Sequence, residues 1–132
     1  MTGWVDDINR ATKDNETFRT VLFTGEHLQL TVMRLAAGED IGREVHPDND
    51  QFLRIEQGEG RVEFGSTPDT VDETHEIRDD YALVVPAGTW HNVINTGSGD
   101  LKLYSIYAPP HHPAGTVHRT KAEAREADEK HG

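Results

Sequence analysis

Residues 38–58, GEDIGREVHPDNDQFLRIEQG, decide how this chain is read. Glu44 and His46 stand two positions apart. On an extended strand, residues i and i+2 project from the same face, so both side chains can aim at one point. Pro47-Asp48 forms a tight turn that brings the chain back, and Gln51 then approaches the same point from the neighbouring strand. A second stretch, Pro86-Ala87-Gly88-Thr89-Trp90-His91, places another histidine at the start of an apolar run. The expectation is that Glu44, His46, Gln51 and His91 converge on one divalent metal inside a small β-barrel.

Outward from this stretch, period-two alternation dominates. Val21–Thr24 and His27–Leu35 read as strands before it, the second with His27, Gln29, Thr31 and Met33 on one face. Val45-His46 and Gln51–Glu56 are short strands within it. Gln57–Gly60 reads as a glycine turn, with Arg61–Phe64 pairing back as a hairpin. Residues 66–74, STPDTVDET, read as a polar loop. Tyr81–Val85, His91–Asn95 and Leu101–Tyr107 complete the set. Many short strands with closely spaced turns predict an all-β barrel or sandwich. Helices flank it. Trp4, Ile8 and Ala11 share one face of a predicted helix over Thr2–Lys13, with Thr2 as N-cap. Beyond Tyr107, three prolines rule out a central strand. Thr120 and Glu123 then form a capping box ahead of a short helix with almost no apolar face, expected to be solvated and frayed. The reading is one domain over 1–132, with its core at about 20–108 and a polar tail at 109–132.

Composition narrows the function. The chain has 132 residues, no cysteine, and 13 Lys+Arg against 24 Asp+Glu, for a net charge of −11. Disulfides, thiolate metal sites and cysteine nucleophiles are excluded. An acidic surface repels nucleic acid and anionic membranes, so neither is an expected partner. No apolar run approaches the roughly 20 residues of a membrane span. No charged-then-apolar leader is present, and a cytoplasmic protein is expected. Eight histidines are the available nitrogen ligands.

The two motifs together resemble the paired signature of the cupin superfamily. The first motif of that family reads G-x5-H-x-H-x4-E-x6-G. Gly38, His46 and Gly58 match it, while Glu44 stands at the first histidine and Gln51 at the glutamate. The second reads G-x5-P-x-G-x2-H-x3-N. Pro86, Gly88, His91 and Asn95 match, and Asp80 replaces the first glycine. The motifs lie in order, with 21 residues between Gly58 and Asp80. EVHPDNDQF and PAGTWHN look most like the small mannose-6-phosphate-isomerase-like members. The resemblance covers about Thr31 to Tyr107. It implies a double-stranded β-helix (jelly-roll barrel) with a metal in its mouth and a homodimer. It does not imply one reaction, because the family includes dioxygenases, isomerases, decarboxylases and sugar-binding proteins.

Two imidazoles, one carboxylate and one amide oxygen suit Zn, Fe, Mn, Ni or Co in the divalent state. Such an ion polarises a carbonyl or enediolate, and as iron it activates oxygen. The leading expectation is therefore a metal-dependent enzyme on a small polar metabolite, a sugar or oxo acid. The alternatives are an iron-dependent dioxygenase and a non-catalytic carbohydrate-binding or metabolite-binding module. His27, Gln29, Met33, Trp90 and Tyr104 are candidates to line the pocket. His111, His112 and His118 read as an exposed polar tail.

Overall fold

Alternating side chains sort most of the strands into an inner and an outer face. The computed structural model describes residues 2–131; Met1 and Gly132 lie outside the described residues. Its strands are β1 (Arg19–Thr24), β2 (Gln29–Leu35), β3 (Asp50–Gln57), β4 (Glu59–Gly65), β5 (Glu73–Arg78), β6 (Ala82–Val85), β7 (Trp90–Asn95), β8 (Leu101–Ala108) and β9 (Val117–His118). Helix α1 (Ile8–Asp14) precedes them and α2 (Lys121–His131) follows. The strands form two antiparallel sheets, in the orders β6-β3-β8-β2-β1-β9 and β5-β4-β7. This is the predicted all-β jelly-roll with a short helix at each end.

The register shows how the interior is divided. Leu35, Met33, Thr31 and Gln29 of β2 lie opposite Leu101, Leu103, Ser105 and Tyr107 of β8. Ser105 and Tyr107 in turn lie opposite Leu53 and Gln51 of β3. At one end these inward positions join Val62, Ile77, Leu83 and Val93 in one apolar cluster. At the other end they are Gln29, Thr31, Gln51, Ser105 and Tyr107, all buried. Hydrophobic burial at the first end holds the sheets together, which frees the second end to carry chemistry.

Several sequence expectations are corrected. Arg61–Phe64 does not pair back on the preceding strand. Here β4 pairs with β5 and β7, so the chain crosses between sheets at Gly58. Gly58 has φ +106°, and a Cβ there would sit 2.7 Å from the carbonyl oxygen of Asp100, so the crossing requires glycine. Val45-His46 forms no strand; only an isolated bridge joins Glu44 to His91. The polar loop gives way to β5 at Glu73, a strand exposed at every position except Ile77. Its partners are backbone groups of β4, so it carries no apolar alternation to read.

The helices differ from expectation too. Helix α1 begins at Ile8 rather than Thr2, because Asp7 is the N-cap and accepts from Arg10 N at 3.1 Å. Trp4 precedes it, half-buried. Lys102, on the outer face of β8, donates to Lys13 O at 2.5 Å and fixes the C-terminal end of α1. The α2 capping box forms as predicted, with Glu123 N to Thr120 Oγ1 at 3.1 Å and Thr120 N to Glu123 Oε2 at 3.3 Å. The helix is nevertheless docked. Ala124 is 3% exposed and joins the apolar cluster, and Lys121 pairs with Asp40. One small residue was enough to make the contact that hydrophobic periodicity missed.

Truncating Leu53, wholly buried in that cluster, is expected to cost ~2–5 kcal/mol as Leu53→Ala. Val84→Ala, at an exposed outer position of β6, is expected to change stability by less than about 0.5 kcal/mol. Urea denaturation of both variants checks the assignment of inner and outer faces.

Candidate metal centre

The segment 38–44 runs antiparallel alongside β7. Ile41 N donates to Val93 O at 3.0 Å, and Glu44 and His91 exchange both backbone hydrogen bonds, at 3.0 and 2.9 Å. Residues directly opposite in such a pair project from the same face. Glu44 and His91 therefore meet because the ladder pairs them. Downstream, His46 O accepts from Gly88 N at 3.0 Å, and the Asp50 carboxylate accepts from Ala87 N at 2.9 Å. The two motifs are thus joined by main chain as well as by side chains.

Three of the four predicted donors come together. His46 Nε2 lies 3.2 Å and His91 Nε2 lies 3.6 Å from Glu44 Oε1. One ligand atom from each residue lies within 4.8 Å of the others. Donors about 2.0–2.2 Å from a shared ion stand ~3–3.5 Å from one another; the His46 contact falls in that range and the His91 contact just outside it. His91 is wholly buried and its Nδ1 lies 3.0 Å from Thr89 O. A carbonyl can only accept, so the ring proton is on Nδ1 and the Nε2 lone pair faces Glu44. That Nε2 is buried without a hydrogen-bond partner. Burial alone would raise the Glu44 carboxyl, but the hydrogen bond from His46 and the two imidazoles beside it outweigh burial and hold it well below the usual carboxylate range. Glu44 is thus ionised, as a ligand must be.

Gln51, 2% exposed, is held inside the barrel by Nε2 donating to Ser105 Oγ at 2.8 Å. This orients Oε1 away from Ser105, and Oε1 is buried without a partner. Neutral polar atoms are seldom left so. No hydrogen bond joins Gln51 to the other three residues among those described.

The predicted pocket lining is largely corrected. His27 lies ahead of β2, its side chain 86% exposed beside Glu26. Met33 belongs to the apolar end. Tyr104 is on the outer face of β8, near Phe52 with ring centroids 6.3 Å apart. Trp90, half-buried, opens β7 opposite Gly65. Gln29 does face inward, but its amide is spent on the tail. Its Oε1 accepts from His111 N and His112 N at 3.1 and 2.9 Å, while Nε2 donates to His112 O at 2.7 Å.

This clamp draws the tail over the barrel mouth. The His111 ring lies 4.3 Å from that of His46, and Tyr107 lies 5.5 Å from His46. Strand parity separates Tyr107 from Tyr104, and Tyr107 is the one that reaches the site. Burial pushes its phenol up to about 12, so it stays protonated. The expectation of an exposed polar tail at His111, His112 and His118 is thus corrected, since His112 and His118 are half-buried and Gln29 holds the tail by its backbone groups.

With the geometry established, the comparisons agree on a class. The cupin domain family model matches residues 31–107, and this chain belongs to the cupin family. It is 63% identical over 126 residues to YrkC of Bacillus subtilis (strain 168), covering 96% of this chain and 68% of that protein. It is 43% identical over 115 residues to L612 of Acanthamoeba polyphaga mimivirus, covering 86% and 70%. Both relatives are described as uncharacterized proteins. The crystal structure of BH2720 from Bacillus halodurans superposes with a TM-score of 0.92 at 57% identity, over 93% of each chain. No helix among the described residues is long and apolar enough to cross a membrane.

The tail clamp gives a pH prediction. Burial, then the cation of Arg19, lower His112 to about 3. The unfolded chain therefore binds this proton more readily, and stability is lost as pH falls from about 6.5 toward 3. Wild type is expected to lose stability relative to His112→Asn across that window in denaturation curves measured at stepped pH.

Proposed function

We propose that this cupin is a metal-dependent enzyme acting on a small polar metabolite, a sugar or oxo acid. Glu44, His46, His91 and Gln51 hold one divalent transition ion, of zinc, iron, manganese, nickel or cobalt. The observation that carries the reading is the Glu44–His46–His91 cluster at donor spacing, with His91 Nε2 and Gln51 Oε1 both buried and unpartnered. Two nitrogens and two oxygens make a borderline-hard site. When bound, the ion supplies Lewis-acid polarisation of a carbonyl or enediolate.

The chain's own groups supply the rest. The Glu44 side chain is 28% exposed, against 0% for His91. A substrate thus arrives from the Glu44 side, with His91 as the back wall. Tyr107, kept protonated by burial, is a hydrogen-bond donor at the polar end. The finer grouping with mannose-6-phosphate-isomerase-like members rests on the likeness of EVHPDNDQF and PAGTWHN. A homodimer and a cytoplasmic setting belong to the same proposal.

Elemental analysis of untagged protein is expected to find about one transition-metal equivalent per chain, lost in His46→Ala and His91→Ala. Release is expected below about pH 6, where imidazole protonates. Metal retained in both variants would overturn the site. Metal bound normally, but with no turnover of sugars or oxo acids, would turn the reading to a binding module.

A further inference from the structure

One ring nitrogen at the metal centre has no partner, and the tail brings a suitable group beside it. The His46 side chain is 6% exposed and presents Nε2 to Glu44 at 3.2 Å. Its other nitrogen, Nδ1, is buried without a hydrogen-bond partner. Coordination through Nε2 uses the lone pair there, so the ring proton must sit on Nδ1, where it needs an acceptor. Histidines that hold a metal almost always give this second N–H to a neighbour, which fixes the ring and raises its basicity. His91 has such a neighbour in Thr89 O. His46 does not.

Three rings adjoin His46. Those of His91, Tyr107 and His111 have centroids 5.4, 5.5 and 4.3 Å away. His91 has Nδ1 on Thr89 and Nε2 toward Glu44. The Tyr107 phenol is engaged by Ser105 and Arg19. His111 is the nearest of the three and meets His46 edge to face, at 65°. Among the described residues only its backbone N–H makes a hydrogen bond, and its ring nitrogens are free. We propose that His111 is a positioning residue for the metal centre, a role that rests on the metal-binding reading of Glu44, His46, Gln51 and His91. Its imidazole accepts the Nδ1–H of His46 and so holds the tautomer that turns the Nε2 lone pair toward the ion.

The tail is built to keep His111 in reach. Gln29, wholly buried, fixes the backbone of His111 and His112 through both ends of its amide. Asn49, 7% exposed, donates from Nδ2 to Pro109 O at 2.5 Å. The Tyr107 ring stacks on that of His111, 25° from parallel with centroids 5.4 Å apart. With its backbone clamped, His111 loses little freedom in making the contact. Its side chain is exposed, so the ring is free to turn toward His46 once Nε2 is engaged.

The test measures zinc affinity of the full-length, untagged protein by competition with a chromophoric chelator. His111→Ala is expected to bind zinc about 10–100-fold more weakly, with one equivalent still bound at saturation and an unchanged urea midpoint without zinc. His111→Gln, whose amide oxygen also accepts, is expected to recover most of that loss. In zinc-loaded wild type the His46 Nδ1–H is expected as a slowly exchanging NMR signal, absent from His111→Ala. Equal zinc affinity in wild type and His111→Ala would overturn the proposal and leave the metal centre standing. Failure of wild type to bind zinc, iron, manganese, nickel or cobalt would overturn the metal centre itself, and the proposal with it.

Discussion

Two backbone hydrogen bonds, exchanged between Glu44 and His91, are the constraint on which the site depends. They join segments far apart in sequence and set both side chains on one face. The donor spacing thus follows from sheet geometry rather than from flexible side-chain search. A slip of one residue would turn His91 to the opposite face. The same segment is anchored at its start by Gly38 N bonding to Asn95 O at 3.2 Å, which resists such a slip. Pre-set ligands of this kind lose little freedom when an ion binds.

The interior works because its two ends do different jobs. Leucine, isoleucine and valine side chains close the apolar end, where each packing contact adds to cohesion. The other end holds glutamine, serine, tyrosine, histidine and arginine side chains almost entirely out of water. Some are satisfied, as where Gln51 meets Ser105. Others, His91 Nε2, Gln51 Oε1 and Arg19 Nε, are not. Unsatisfied atoms of this kind are expensive in a structure that only has to be stable.

Much of this was legible in the sequence, for physical reasons that differ between residues. Glu44, His46 and His91 could be placed together because the spacing of the two motifs is readable in the sequence. Val45-His46 nevertheless forms no strand, and an isolated bridge, not strand parity, sets Glu44 beside His91. Arg54, of opposite parity to Gln51 on β3, pairs at the surface with Asp80 at 3.0 Å. Tyr104 failed because either parity was available until the register of β8 against β3 was known. His27 failed because the strand begins two residues later. Strand β9 and the clamp by Gln29 were hidden for another reason. The partners in both are backbone groups, which carry no residue identity to read. Arg19 gave no signal because a single arginine near a predicted strand edge usually faces water.

The free edge of the smaller sheet has a consequence for behaviour at high concentration. Strand β5 presents Glu73, His75, Glu76 and Arg78 outward, and Glu73 lies 3.1 Å from His75 Nε2. An unpaired edge is a template onto which another chain can add. Charged side chains along it would have to be stripped of water as the new strand docked. Together with a net charge of −11, this edge gives the protein a built-in resistance to self-association into fibrous aggregates.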